Sequence, residues 1–324
     1  MRWLVYGAGA VGGVLGGLLH EAGHDVVLVA RGANLDALRG DGLTLVSPEG
    51  TRTLAVPVAG SAAEALAGSD VPTTVLLAVK SHQTHAALED LTAVTDPGTP
   101  VVSVQNGVAN EPTLLRFFSE VYGVCVMFPT AHLEPGVVEQ HCGPVPGILD
   151  LGRYPGGVDD TAEAVAAAFR SAGFHSAPRD DVMAWKRRKL VMNLGNAVQA
   201  CCGEEGDDVD RLHALAREEG ERVLDAAGLT VVSSQEDRER RGDILQVRAL
   251  PGRERGGGSS WQSLRRRQGT IETDYLNGEV VRLARECGRD APVNALLQTT
   301  AARLARAGAA PGSVPAAELL RALA

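Results

Sequence analysis

The chain has 324 residues, of which 44% are hydrophobic, and it carries a formal net charge of −9 at pH 7. This length predicts about two domains, and the acidic balance argues against general nucleic-acid binding. No apolar run approaches the roughly 20 residues of a bilayer-spanning helix, so we predict no membrane segment. Five scattered cysteines without metal-ligand spacing, and no signal peptide before the first strand, predict a cytoplasmic protein without metal.

The first element is an apolar run, Arg2 to Tyr6, which predicts a buried strand. Ala10 to Ala22 predicts a helix of small and aliphatic residues, and Val26 to Ala30 predicts a second strand. Glycines between a strand and a helix expose backbone N–H groups that bind pyrophosphate. We therefore predict a dinucleotide site at Gly7, Ala8, Gly9, Ala10, Val11 and Gly12; the alternative is an ordinary turn in a chain with 38 glycines.

The residue after the second strand indicates which dinucleotide is bound. NAD sites usually offer a carboxylate there for the ribose 2′-hydroxyl, whereas NADP sites offer a cation for the 2′-phosphate. This strand ends at Arg31, and the next carboxylate is Asp36. Because a guanidinium can bind phosphate through two parallel hydrogen bonds, we predict NADPH as the cofactor. The alternative is that Arg31 is an ordinary surface arginine.

Lysine is rare in this chain, with Lys80, Lys186 and Lys189 as the only examples among 31 basic residues. Codon bias explains most of this count. The strand predicted at 73–79 delivers Lys80 at its carboxyl end, and the strand at 101–104 delivers Gln105 and Asn106. Ligands bind beyond the carboxyl ends of strands in open parallel sheets, so Lys80 and Asn106 are both expected at the cofactor edge.

The pattern becomes helical in the second half, which predicts an α/β Rossmann-type domain at 1–179 and an all-α domain at 180–324. The predicted helices include 180–202, 208–227, 259–287 and 292–307. The segment 236–258 is arginine-rich, and we interpret it as an exposed helix and loop with a solvated basic face. Within the first of these helices, Lys189, Asn193 and Asn196 share a polar stripe. Lys186 lies on the same stripe, so periodicity does not choose between the two lysines.

Six motifs in chain order resemble those of the ketopantoate reductase (2-dehydropantoate 2-reductase) family. They are Gly7-Ala8-Gly9-Ala10-Val11-Gly12, Val79-Lys80, Gln105-Asn106-Gly107, Trp185 with Lys189-Leu190-x-x-Asn193, Ser259-Ser260, and Glu272-Thr273-Asp274-Tyr275-Leu276-Asn277-Gly278. The resemblance extends to about Asn294. It implies a Rossmann domain joined to a helical domain, with a 2-oxo acid reduced in the cleft.

The resemblance also implies a role for each matching residue. Lys189 is the expected general acid. Glu272 is expected to accept a hydrogen bond from the substrate, to orient Lys189 and to contact the cofactor. Ser260 and Asn106 would hold the carboxylate, with Asn106 near the nicotinamide. Asn193 would line the pocket, Asn196 is a further substrate contact, and Lys80 would sit beside the cofactor and help neutralise the substrate. The sequence leaves open whether the chain forms a homodimer.

Several positions depart from the family pattern. Ala197 and Gly257 stand where asparagines are common, Leu264 replaces a frequent aspartate, and Cys201-Cys202-Gly203-Glu204 replaces a segment that often carries another asparagine. These changes affect contacts expected for the hydroxyl end of ketopantoate, and sites that bond a hydroxyl discriminate strongly through it. We therefore keep two alternatives to a ketopantoate reductase: a reductase of another 2-oxo acid, and a non-catalytic NADPH-binding redox sensor.

Overall fold

The structure is a computed structural model that describes residues 1–250, 252–253, 256–267 and 269–324. The chain divides into two compact units. Unit 1 comprises Met1–Lys186 and Gln235–Arg255, and unit 2 comprises Arg187–Ser234 and Gly256–Ala324.

The strands all belong to unit 1: β1 (Arg2–Tyr6), β2 (Asp25–Val29), β3 (Leu43–Ser47), β4 (Gly50–Leu54), β5 (Val58–Ala59), β6 (Thr73–Leu77), β7 (Val101–Ser103), β8 (Val121–Met127), β9 (Thr130–Glu134), β10 (Val137–Gln140) and β11 (Ile148–Arg153). Within the described residues the main sheet has seven strands, in the order β11-β8-β7-β6-β1-β2-β5. Neighbours pair in parallel, except that β11 runs antiparallel to β8. The predicted α/β class is therefore confirmed.

The helices are α1 (Ala10–Glu21), α2 (Gly32–Asp41), α3 (Ala62–Leu66), α4 (Thr84–Thr92), α5 (Asn110–Leu114), α6 (Asp160–Ser171), α7 (Val182–Asn193), α8 (Gly195–Cys202), α9 (Asp207–Ala226), α10 (Ser234–Arg241), α11 (Ser259–Arg265), α12 (Asn277–Glu286), α13 (Pro292–Arg306) and α14 (Ala316–Leu323). Among the described residues, none of them is both long enough and apolar enough to cross a membrane.

Helix α1 lies between two sheets, and its glycines make this possible. The second sheet, with strand order β4-β3-β10-β9, was not predicted from the sequence. A Cβ added to Gly16 would lie 2.4 Å from Leu28 of the main sheet, and one added to Gly13 would lie 2.7 Å from Val138 of the second sheet. Glycine inside a helix costs about 1 kcal/mol relative to alanine. Because these glycines have no side chains, the two β-sheets can pack closely against two faces of the same helix.

Two helices predicted as continuous are interrupted. The predicted helix 180–202 consists of α7 and α8, which separate at Leu194, where the backbone keeps helical angles (φ −59°, ψ −31°). The carbonyl of Leu194 accepts a hydrogen bond of 3.1 Å from Asn277 Nδ2, and a side-chain donor at that point interrupts the helical ladder. The predicted helix 259–287 consists of α11, a 3₁₀ helix at Glu272–Tyr275, and α12. Position 268 of that prediction lies outside the described residues.

The arginine-rich segment 236–258 is largely exposed and begins with a helix, as predicted, but two of its arginines bind carboxylates of unit 1 instead of facing solvent. Arg240 donates two hydrogen bonds, of 2.7 and 2.6 Å, to the buried carboxylate of Asp150. Arg253 donates one of 2.5 Å to Glu139, which also lies in unit 1. Residues 235–255 therefore group with unit 1 rather than with the predicted domain 180–324. The hydrogen bonds from Arg240 and Arg253 to buried carboxylates of unit 1 explain this grouping. Positions 251, 254 and 255 of the segment lie outside the described residues.

Candidate functional site

The turn after β1 requires glycine at both ends. Gly7 has φ 109°, and a Cβ there would lie 2.8 Å from the backbone nitrogen of Val79. A Cβ on Gly12 would lie 2.1 Å from the carbonyl oxygen of Gly7. The α1 N-cap, Gly9, supplies no side-chain cap, and the first turn of the helix has no acidic residue. Backbone N–H groups of residues 9–12 and the helix dipole therefore form a cradle that fits a pyrophosphate.

Arg31 lies directly after β2, at the N-cap of α2. Its Nη2 donates a 2.6 Å hydrogen bond to the hydroxyl of Tyr6 and lies 3.8 Å from Asp90 Oδ2. Burial, followed by the neighbouring Asp90, raises the pKa of Tyr6 well above its usual value, so Tyr6 stays a neutral phenol. The Arg31 side chain is nevertheless 58% exposed. Tyr6 and Asp90 hold one edge of the guanidinium, while a large part of the group faces solvent.

A buried network joins the turns that carry Lys80 and Asn106. Gln105 Nε2 donates hydrogen bonds to the carbonyl of Val79 (2.8 Å) and to Thr84 Oγ1 (3.0 Å). Asn110 Nδ2 lies within 3.2 Å of both the carbonyl of Asn106 and Ser81 Oγ. The ends of β6 and β7 are thus linked by two amide side chains. Sequence reasoning named Lys80 and Asn106 but missed Gln105 and Asn110 as the residues that fix their backbones.

The structure separates the two lysines of α7. Lys186 is 2% exposed, and its Nζ lies 2.9 Å from Glu111 Oε1, 2.8 Å from the carbonyl of Gln105 and 3.0 Å from that of Val124. Two of its N–H groups donate hydrogen bonds to the carbonyls, and the contact with Glu111 is an ion pair. Lys189 is only partly buried and belongs to unit 2. Periodicity could not make this distinction, because it depends on a carboxylate that is distant in sequence.

The predicted site residues of unit 2 lie in four elements: α7, α8, α11 and the 3₁₀ helix at Glu272–Tyr275. Lys189 and the buried Asn193 end α7, whereas Asn196 lies in α8, across the interruption at Leu194. The Asn196 side-chain oxygen lies 3.3 Å from the position of a Cβ on Gly258, the residue before α11. Gln199 Oε1 accepts a 2.8 Å hydrogen bond from the Gly258 backbone nitrogen. The structure therefore brings Asn196 to the start of the helix that carries Ser260.

Two further predicted site residues of unit 2 have polar side chains that are buried. Ser260 is 1% exposed, and its Oγ has no hydrogen-bond partner within the described part of the chain. Glu272, 8% exposed, begins the 3₁₀ helix. Burial lowers the pKa of Arg266, and the nearby Glu272 carboxylate opposes that shift. Arg266 is thus an electrostatic neighbour of Glu272 that the sequence did not indicate.

Comparisons with known proteins cover both units. The model of the family described as "Ketopantoate reductase PanE/ApbA" matches residues 3–156, and that of its C-terminal domain matches residues 181–305. The chain is a member of the ketopantoate reductase family. Its relatives include the 2-dehydropantoate 2-reductases of Pyrococcus horikoshii (29% identity, 92% of this chain and 95% of the relative) and Halobacterium salinarum (30%, 90% and 95%).

Solved structures of the ketopantoate reductase family share its fold. A family member from Ralstonia eutropha aligns at 27% identity with a TM-score of 0.79, over 95% of this chain and 99% of that one. A D-mandelate dehydrogenase solved with NADH and anilino(oxo)acetate aligns with a TM-score of 0.80 at 18% identity, which shows the fold alone. The protein is therefore an oxidoreductase acting on CH–OH groups, a 2-oxo acid reductase that depends on a nicotinamide dinucleotide.

Proposed function

We propose that the protein reduces a 2-oxo acid to a 2-hydroxy acid with NADPH, and that Lys189 is the general acid. The first candidate substrate is 2-dehydropantoate, whose reduction gives (R)-pantoate for pantothenate biosynthesis. The observation that carries the proposal is the contrast between the lysines of α7. Lys186 is engaged by three oxygens of unit 1, whereas the partly exposed Lys189 keeps the family's spacing to Asn193. We also propose a cytoplasmic location, where thiols stay reduced; none of the five cysteines, all of which the structure describes, forms a disulfide.

In the proposed reaction, one group of residues binds the cofactor and Lys189 donates the proton. Gly7–Gly12 and Arg31 would hold NADPH, which when bound would supply a hydride to C2 of the oxo acid. As the C=O bond becomes C–O⁻, the Lys189 ammonium stabilises the charge and gives its proton to the oxygen, which yields CH–OH. Bulk water then returns a proton to the amine.

The remaining residues hold the substrate. Ser260 Oγ, buried and without a partner in the described residues, donates to the carboxylate together with the amide of Asn106. Glu272 accepts from a substrate hydroxyl and orients Lys189, and Lys80 balances the anionic charge. Asn193 and Asn196 line the pocket.

One observation favours another 2-oxo acid as the second candidate substrate. A Cβ at Gly257 would lie 2.5 Å from Cγ of Trp261, so Trp261 in its present place excludes the asparagine common there in the family. Leu264, where an aspartate is frequent, is 2% exposed. A pocket that lacks these polar groups discriminates less strongly in favour of a hydroxylated substrate.

A substrate panel tests the reaction. We expect the purified protein to oxidise NADPH with 2-dehydropantoate, and more slowly with 2-oxoisovalerate, the matched acid without the hydroxymethyl group. Absorbance of the reduced nicotinamide measures the rate. Faster turnover of 2-oxoisovalerate would favour the second candidate. Tight NADPH binding without turnover of any 2-oxo acid would overturn the reductase proposal and favour a sensor.

The cofactor preference is tested at Arg31. We expect Arg31→Ala to raise the KM for NADPH by about 10- to 100-fold, because hydrogen bonds to charged groups contribute about 1.5–3 kcal/mol. The KM for NADH should change less than about threefold. The matched control is Arg39→Ala in the same helix, where the guanidinium pairs with Glu64 at 2.5 Å; both KM values should stay unchanged. Equal losses for NADPH and NADH in Arg31→Ala would contradict the assignment.

A further inference from the structure

Lys186 and Glu111 form an ion pair in the interior of unit 1. Glu111 is 0% and Lys186 2% exposed, and Nζ lies 2.9 Å from Glu111 Oε1. Burying two charges removes their hydration, and replacing such a pair with apolar side chains of similar volume is often neutral or stabilising. Stability alone therefore does not account for this pair. An ammonium differs from an apolar side chain in its directed N–H groups.

Two of those N–H groups reach backbone carbonyls at the cofactor edge. One bonds the carbonyl of Gln105, the residue before Asn106, and the other bonds the carbonyl of Val124 in β8. Lys186 thereby joins the turn after β7 to the neighbouring strand. Hydrogen bonds also hold the other side of this turn. Gln105 Nε2 donates to the carbonyl of Val79, and Asn110 Nδ2 donates to the carbonyl of Asn106. Asn106 thus sits on a backbone held from both sides.

We infer that Lys186 is a positioning residue, which fixes the Gln105–Asn106 backbone so that Asn106 presents its amide to the substrate, and that Glu111 only balances the buried charge. This inference rests on the substrate contact of Asn106 in the proposed function. A shift of about 1 Å in a positioning group can cost about 100-fold in rate. Loss of the Lys186 donors therefore acts on kcat even though Lys186 touches neither substrate nor cofactor.

Two variants separate positioning from stability. Lys186→Met/Glu111→Leu removes both charges and the donors; we expect a Tm within a few degrees of wild type and a kcat with 2-dehydropantoate and NADPH about 10- to 100-fold lower. Glu111→Gln keeps the donors but leaves the lysine without its counter-charge; we expect a lower Tm and a kcat within about threefold of wild type. The Kd for NADPH should change less than about threefold in both.

A double-mutant cycle with Asn106→Ala identifies the route of the effect. If Lys186 acts through Asn106, the double replacement should lower kcat by less than about threefold in the Asn106→Ala background. Wild-type kcat in the folded double variant, or equal losses in both backgrounds, would overturn the inference. A tenfold loss in Glu111→Gln would do so even if the double variant did not fold. Wild-type kinetics in Asn106→Ala itself would instead reject the proposed contact of Asn106.

Discussion

Replacing Lys189 with alanine should lower kcat by about 10²- to 10⁴-fold, the usual contribution of a positioned general acid. The Kd for NADPH, measured by fluorescence titration, should change less than about threefold, because the cradle for the cofactor lies in unit 1. Steady-state assays with 2-dehydropantoate measure the loss. A wild-type kcat would remove Lys189 from the reaction.

Two further variants show whether the loss in Lys189→Ala comes from the proton, from the charge or from a general effect on the helix. Lys189→Arg keeps the positive charge, but arginine does not release a proton near neutral pH. We expect its kcat to lie between those of alanine and lysine, which separates charge stabilisation from proton donation. Arg187→Ala is the matched control on the same helix. It removes a 3.0 Å hydrogen bond to the carbonyl of Thr230 and should leave kcat within about twofold of wild type.

Replacing Glu219 with leucine should lower the free energy of unfolding by roughly 3–5 kcal/mol. Glu219 is 2% exposed and accepts hydrogen bonds from the backbone nitrogens of Val293 (3.1 Å) and Asn294 (2.8 Å) and from Asn294 Nδ2 (2.9 Å). The leucine would leave the two backbone donors buried without that acceptor, at about 1–3 kcal/mol each, whereas Asn294 Nδ2 keeps its hydrogen bond to the carbonyl of Ala216. Urea unfolding measures the change.

The neighbouring glutamate is the control for this substitution. Glu218 is exposed on the same helix, so Glu218→Leu should change the unfolding free energy by no more than about 0.5 kcal/mol. Glu219→Gln keeps one acceptor oxygen and should fall between the two. Equal stability of the two leucine variants would show that the buried carboxylate is not a stabilising cap of α13.

The Glu219 network is also connected to α7, the helix that carries Lys189. Asn277 Nδ2 donates to Asn294 Oδ1 (2.9 Å) and to the carbonyl of Leu194 (3.1 Å), the residue that follows the end of α7 at Asn193. Gly195 follows, and a Cβ there would lie 2.3 Å from His213 of α9. The end of α7 is therefore fixed by buried polar groups and by close approach of a neighbouring helix.

The first β-α-β unit was predictable because each of its signals is local. Continuous apolar runs predicted β1 and β2, and the glycine spacing predicted the turn between β1 and α1. The hairpin of β3 and β4 was not predicted, although it also has a local signal: Leu43 to Ser47 and Gly50 to Leu54 flank the turn residues Pro48 and Glu49.

The remaining features depend on partners that are distant in sequence. Asp150 binds Arg240, 90 residues away, and this pair holds the arginine-rich segment to unit 1. Asn277 interrupts the helix at Leu194, 83 residues away, so no window of sequence shows where α7 ends. Lys186 and Lys189 share one face by periodicity, and the contacts of Lys186 with the distant Glu111, Gln105 and Val124 distinguish them. Sequence predicts candidate site residues, but it does not indicate the side chains that hold their backbones.

The glycines of α1 have a consequence for altering coenzyme preference by protein engineering. A Cβ at Gly12 would lie 2.1 Å from the carbonyl oxygen of Gly7, and one at Gly13, Gly16 or Gly17 would come within 2.9 Å of a side chain of one sheet or the other. Saturation libraries at these four positions should therefore return almost only the parental residue. After β2, Arg31 is mostly exposed and is the position at which to begin a change from one nicotinamide coenzyme to the other. Gly32 should be kept, because its φ of 55° strains any side chain despite the open space around it.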